Sequence, residues 1–146
     1  MSTAVNSKPA LSRSPNRLVA TIFGAVYLVV ALLGFIVAGG GVGFLDTEGP
    51  LLLGIFQINH LHNVAHLLIG AALLIAGLSS VSAAKGANSV VGIVYLLLGI
   101  VGFFLVGTDA NILALNTPDH FLHLVTAIVL LGAAFGADKS TRAAVA

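Results

Sequence analysis

The chain has 146 residues, 58% of them hydrophobic and only 8% charged, with a formal net charge of +1 and no cysteine. Soluble domains carry about a quarter charged residues, so this composition excludes a water-soluble globule and specifies an integral membrane protein. The missing cysteines exclude disulfides, thiolate metal sites, haem attachment through Cys and thiol catalysis. No basic run beyond the N-terminal segment points to nucleic acid as a partner.

Residues 1–17 are rich in Ser, Pro and Asn, carry Lys8, Arg13 and Arg17, and read as a disordered cytoplasmic tail. An uninterrupted apolar run follows over residues 18–38, long enough to cross a hydrocarbon core of about 30 Å. It exceeds the apolar stretch of a signal peptide, about 7–15 residues. The Gly-rich segment 39–50, with Asp46 and Glu48, then breaks the helix. Residues 51–78 read as a second helix. That length is too great for one perpendicular span, so either it tilts or residues 51–58 form an interfacial extension. Residues 79–89, with Lys85, read as a turn, 90–107 as the third span and 108–118 as a short connection. The fourth span is expected over 119–137, introduced by Thr117, Pro118 and Asp119 as cap, first helical residue and dipole-compensating acid. Residues 138–146 form a second cytoplasmic tail. All six Lys and Arg fall in the two tails and the 79–89 turn. The positive-inside rule therefore places both termini in the cytoplasm.

The sequence contains an internal repeat. Residues 24–39 align without gaps on 92–107, matching Gly24/Gly92, Tyr27/Tyr95, Phe35/Phe103 and Gly39/Gly107. The following halves match more faintly, Asn59 over Asn116, His62 over Asp119, Asn63 over His120 and His66 over His123. The expected fold is all-α: an integral membrane four-helix bundle made of two tandem helical hairpins related by a pseudo-twofold along the membrane normal. Small residues spaced by four, such as Ala20/Gly24 and Gly132/Gly136, allow close helix approach.

The chemistry concentrates in Gln57-Ile-Asn-His-Leu-His-Asn-Val-Ala-His66 and in its counterpart in the fourth span. Asn59, His62, Asn63 and His66 fall at i, i+3, i+4 and i+7, and so do Asn116, Asp119, His120 and His123. Polar groups facing lipid are costly, so both stripes are expected to face each other between the second and fourth helices in the outer leaflet. Three occupants fit. A zinc or iron ion would use His62, His66 and His123 with Asp119 or His120, and Asn59 and Asn63 would support the ligands from behind. Haem b would take His66 and His123 as axial ligands. A proton or quinone site would use His–Asp pairs. Against these stands a network that only locks helices together, as in a structural or accessory subunit of a larger, for instance respiratory, membrane complex. Tyr27 and Tyr95 are expected deep in their spans, about 18 Å below the outer end and leaning away from the histidines. His60 points off the stripe. No nucleophile–base pair and no phosphate loop suggests an enzyme.

On the residues Asn59–Gly70 and Asp119–Leu124 the chain resembles a small four-helix membrane family of unassigned function, common in actinobacteria and also found in cyanobacteria. The resemblance spans residues 18–137. It implies a multi-pass protein of the bacterial plasma membrane and carries over no cofactor and no catalytic residue. Apart from the resemblance, the expected contacts are the lipid bilayer and either a membrane-protein partner or a second copy of the chain.

Overall fold

The computed structural model describes residues 11–139. A 3-10 turn over Leu11–Arg13 precedes helix α1, Pro15–Ala38; a small antiparallel hairpin, β1 over Leu51–Leu52 and β2 over Phe56–Gln57, leads into α2, His60–Ser79. Helix α3, Val81–Val101, is extended by a 3-10 turn over Gly102–Phe104, and α4 covers Thr117–Gly136. These four helices are long and apolar enough to cross a membrane. Of the two expected tails, residues 1–10 and 140–146 lie outside the described residues.

Each helix starts on a side chain that satisfies otherwise unpaired backbone N–H groups. Ser14 accepts from the Arg17 amide, with Pro15 in the first turn, so α1 begins before residue 18 and takes in part of the expected tail. Asn59 accepts from the His62 amide at 2.8 Å. Ser80 ends α2 and caps α3 by accepting from Ala83. One residue thus replaces the expected 79–89 turn: Lys85 lies on α3, and Asn88 is buried in the bundle. Asn116 and Asp119 form a reciprocal capping box at the start of α4.

The second helix is shorter than its apolar run. Leu51 pairs with Gln57 and Leu52 with Phe56, while Leu53 and Gly54 turn the chain with φ of 56° and 72°. An unbroken apolar stretch has no period of its own, and here Pro50 and Gly54 favour a hairpin over continued helix. The hairpin and the segment before α4 are lashed together across one end of the bundle, the loop end. Asn59 Nδ2 donates to the carbonyls of Asp46 and Ile112, both at 2.7 Å, and Asn116 Nδ2 donates to Ile55 O at 2.8 Å.

The packing inverts the pattern of a soluble protein, as lipid as solvent requires. Ile36, Ile75 and Ile128 point outward, 69–75% exposed, whereas Ala20, Ala31, Ala127 and Ala134 are fully buried. Helix α1 packs chiefly on α2, and α3 chiefly on α4. At Gly24 a Cβ would collide with the backbone of Gly70 and Leu74, so only glycine permits that approach.

The opposite end, where the start of α1, Ser80 and the end of α4 lie, holds a polar clamp. Arg17 donates from Nε to Gly77 O at 2.9 Å and from a terminal nitrogen to Leu78 O at 3.1 Å, placing a cation on the carbonyls that end α2. Asp138, just past α4, accepts from Ser14 Oγ, the Asn16 amide and Asn16 Nδ2 at 2.8–3.0 Å. Asn88 Nδ2 donates to Asn16 O and Oδ1.

Candidate functional site

Near the loop end, His62 and His66 on α2 and His123 on α4 converge. Each offers a ring nitrogen within 4.8 Å of the other two, and all three residues are buried, at most 7% exposed. His62 and His66 are one helical turn apart, which places their imidazoles on one face; the two Nε2 atoms are 3.2 Å apart. The His62 and His123 rings approach edge to face at 6.3 Å. The Nδ1 atoms of all three lack a well-formed hydrogen bond. Buried polar atoms are nearly always paired, so the unpaired Nδ1 atoms of His66 and His123 single this layer out as a candidate site.

The two tyrosines enclose the trio instead of lying beneath it. Tyr95 stacks on His123 with centroids 4.7 Å apart and planes 7° from parallel, Tyr27 lies 5.0 Å from His66, and the tyrosine rings are 5.5 Å from each other. Tyr27 donates to Thr126 Oγ1 on α4 at 3.4 Å. A count from helix ends misses this because antiparallel neighbours are offset. Leu28, next to Tyr27, abuts Gly70, one turn from His66, and the two rings bridge that turn.

The remaining polar residues of the stripes divide between two interfaces. Asp119 lines the same space as the trio, but one carboxylate oxygen accepts from the Asn116 amide at 2.9 Å. His120 does not join the histidines: it is fully buried against Gly102 and the Phe103 ring, and neither of its nitrogens has a partner. Asn59 is a helix cap and loop tie, not a support for a histidine. Asn63 lies against Gly34 on α1 with both amide atoms unpaired. The physical reason is shared: residues at i+3 and i+4 from one origin are consecutive and differ by about 100° around the helix. That is enough for one to face the bundle axis and the next to face the partner helix. His60 leaves the stripe, its Nε2 lying 3.1 Å from Gly39 O and its ring stacking on Phe35.

In front of the trio lies a cavity of about 130 Å³. Its floor is Tyr27, His66, His123, Asp119 and Thr126; Leu52, Phe56 and Ile58 of the hairpin region roof it. Its most exposed lining residues are Leu53 of the hairpin, Val26 of α1 and Leu122 of α4, 73%, 50% and 42% exposed. A smaller pocket of about 20 Å³ lies on the other side, against Tyr95 and Leu115.

The chain belongs to the family described as Domain of unknown function (DUF4383), whose pattern matches residues 17–136. No curated protein and no solved structure matches it.

Proposed function

We propose that this member of the family is a small bacterial plasma-membrane protein that binds a divalent transition-metal ion, zinc or iron, on His62, His66 and His123. One observation carries the reading: three buried imidazoles from two helices present their nitrogens within 4.8 Å of one another. Zinc–nitrogen bonds of about 2.05 Å at tetrahedral angles set ligand nitrogens about 3.3 Å apart. The His62–His66 separation of 3.2 Å matches that edge. An all-imidazole set suits zinc, iron or copper, and hard oxygen-loving ions poorly. Three protein ligands leave a fourth position, and the adjoining cavity with Asp119 on its floor is where water or another ligand would take it.

Two rival occupants fare worse. Haem b between His66 and His123 needs a porphyrin-sized slot, whereas Tyr95 stacks on His123 and the cavity has room for a single ring. A network that only locks helices would pair most of its ring nitrogens, and here the Nδ1 atoms of His66 and His123 have no hydrogen bond.

The internal repeat supports a duplicated hairpin. Tyr27 touches His66 as Tyr95 touches His123; Gly34 abuts Asn63 as Gly102 abuts His120; Asn59 and Asn116 cap equivalent helices. Each half would supply one ligand of the pair His66 and His123, with His62 added by the first half alone. With both termini cytoplasmic, as the cations indicate, the ion would arrive from the outer face.

Zinc titration of purified, metal-stripped protein tests this. One zinc per chain is expected, and His66→Ala should weaken binding at least about a hundredfold. Zinc at a hundred times its dissociation constant should stabilise the wild type by about 2.7 kcal/mol. No saturable binding, or equal binding by His66→Ala, leaves the trio as packing and the chain as an accessory subunit.

A further inference from the structure

We propose that the β1–β2 hairpin is a membrane anchor, with Leu51, Leu53 and Ile55 resting among the acyl chains at the loop-end boundary of the bilayer. This face lies outside the histidine trio and needs no ion.

Composition and register come first. Residues 49–58 carry no charge, and Gln57 is their one polar side chain. The strand register pairs Leu52 with Phe56, which puts both on one side of the hairpin. Leu52 is 4% exposed and joins Ala38 and Ile58 in a small core against which Val30 packs. Val30 lies about 12 Å inside the end of α1, and β1 itself packs on that helix. The hairpin therefore lies alongside the end of a span, not above it. Leu51, Leu53 and Ile55 are left 49%, 73% and 51% exposed. Leu53 borders the cavity together with Val26 and Leu122, exposed residues within two membrane-length helices. The bare face of the hairpin thus continues the lipid-facing wall of α1 and α4.

Two features favour lipid over water as the cover. Leu53 and Gly54 both have positive φ, 56° and 72°, the pattern of a hairpin turn in which Asn-Gly is the usual pair. A leucine in that conformation is strained, and in water its hydrocarbon would be exposed as well. Acyl chains remove the second penalty and give the strained residue a use. The backbone is also paired within the protein. The Gly54 and Ile55 amides donate to Leu51 O and Leu52 O at 3.4 and 3.1 Å, the Ile58 amide donates to Pro50 O at 3.1 Å, and Ile55 O accepts from Asn116 Nδ2. A hairpin beside hydrocarbon needs such internal pairing, because little water is there to supply it.

The chain has no cysteine, so a single introduced thiol carries a nitroxide without background. Leu53→Cys and Leu51→Cys are spin-labelled in the full chain and reconstituted in vesicles of phosphatidylcholine and phosphatidylglycerol. Ile128→Cys, at a 70% exposed position on α4, is the lipid reference, and Glu48→Cys, in the exposed loop, is the water reference. Oxygen concentrates in acyl chains, and the charged chelate chromium oxalate stays in water. The ratio of oxygen to chromium oxalate collisions at residues 51 and 53 should approach that at Ile128 and exceed that at Glu48 at least about tenfold. Leu51 lies in a paired strand, so its variant keeps the test if Leu53→Cys fails to fold. Ratios like that at Glu48 would put the hairpin in water. Labels shielded from both relaxants would put a protein partner or a second copy against it. Either result overturns the anchor, and none of these readouts involves the histidines.

Discussion

The two ends of the bundle treat their polar residues differently. At the terminal end Ser14, Asn16, Arg17, Asn88 and Asp138 interlock, and only Asn88 Oδ1 is left without a partner. At the loop end His66, His123, His120 and Asn63 keep ring or amide atoms without a hydrogen bond. The first end uses polarity to tie helices together. The second maintains unsatisfied donors and acceptors beside a cavity, which a fold stabilised for its own sake would replace with packed hydrocarbon. On the metal reading proposed above, binding is confined to the second end, while hydrogen bonds at both ends, those of Asn59 and Asn116 included, hold the helices together.

That division predicts unequal responses. The largest is at the clamp. Arg17→Leu leaves the carbonyls of Gly77 and Leu78 without their cation and should destabilise the protein by about 3 kcal/mol. Zinc affinity should not change, and thermal unfolding with zinc titration reads both. A smaller effect of opposite sign is expected near the trio. Asn63→Leu keeps the side-chain shape beside Gly34 while removing two unpaired amide atoms, so unfolding should be unchanged or rise by about 1 kcal/mol. A loss of 2 kcal/mol or more there would blur the contrast between the ends.

The smallest effect is one of pH. Burial alone would raise the Asp138 carboxyl, but hydrogen bonds from Asn16 and Ser14, with Lys85 nearby, hold it below its ordinary value of 3.8. A carboxylate lowered by folding stabilises above its unfolded pKa, and that contribution disappears as pH falls through the folded value. The unfolding temperature should therefore drop on acidification below about pH 4, with a shallower drop in Asp138→Asn. Solvent screens this partly exposed group, so the difference is small.

The four spans are legible because an apolar run of about twenty residues has one physical use. His62 and His66 are legible because i, i+4 has one geometry. The hairpin at Leu51–Gln57 is hidden by an apolar run that fits strand and helix equally. Lys85 and Asn88 look like a turn because polarity alone does not tell a connection from a helix whose polar face is buried. The separation of His120 from His123, and the contact of the tyrosines with the trio, depend on which neighbour each helix face meets. One-dimensional spacing carries no such information.

The separation of ends is tested most directly by titrating purified, metal-free protein with cobalt(II), whose visible absorption reports tetrahedral nitrogen ligation, alongside His123→Ala and Arg17→Leu. One cobalt per chain is expected with tetrahedral bands, abolished in His123→Ala and intact in Arg17→Leu below its lowered unfolding temperature. Absent bands in the wild type, or bands that survive the loss of His123, would contradict a metal centre between α2 and α4.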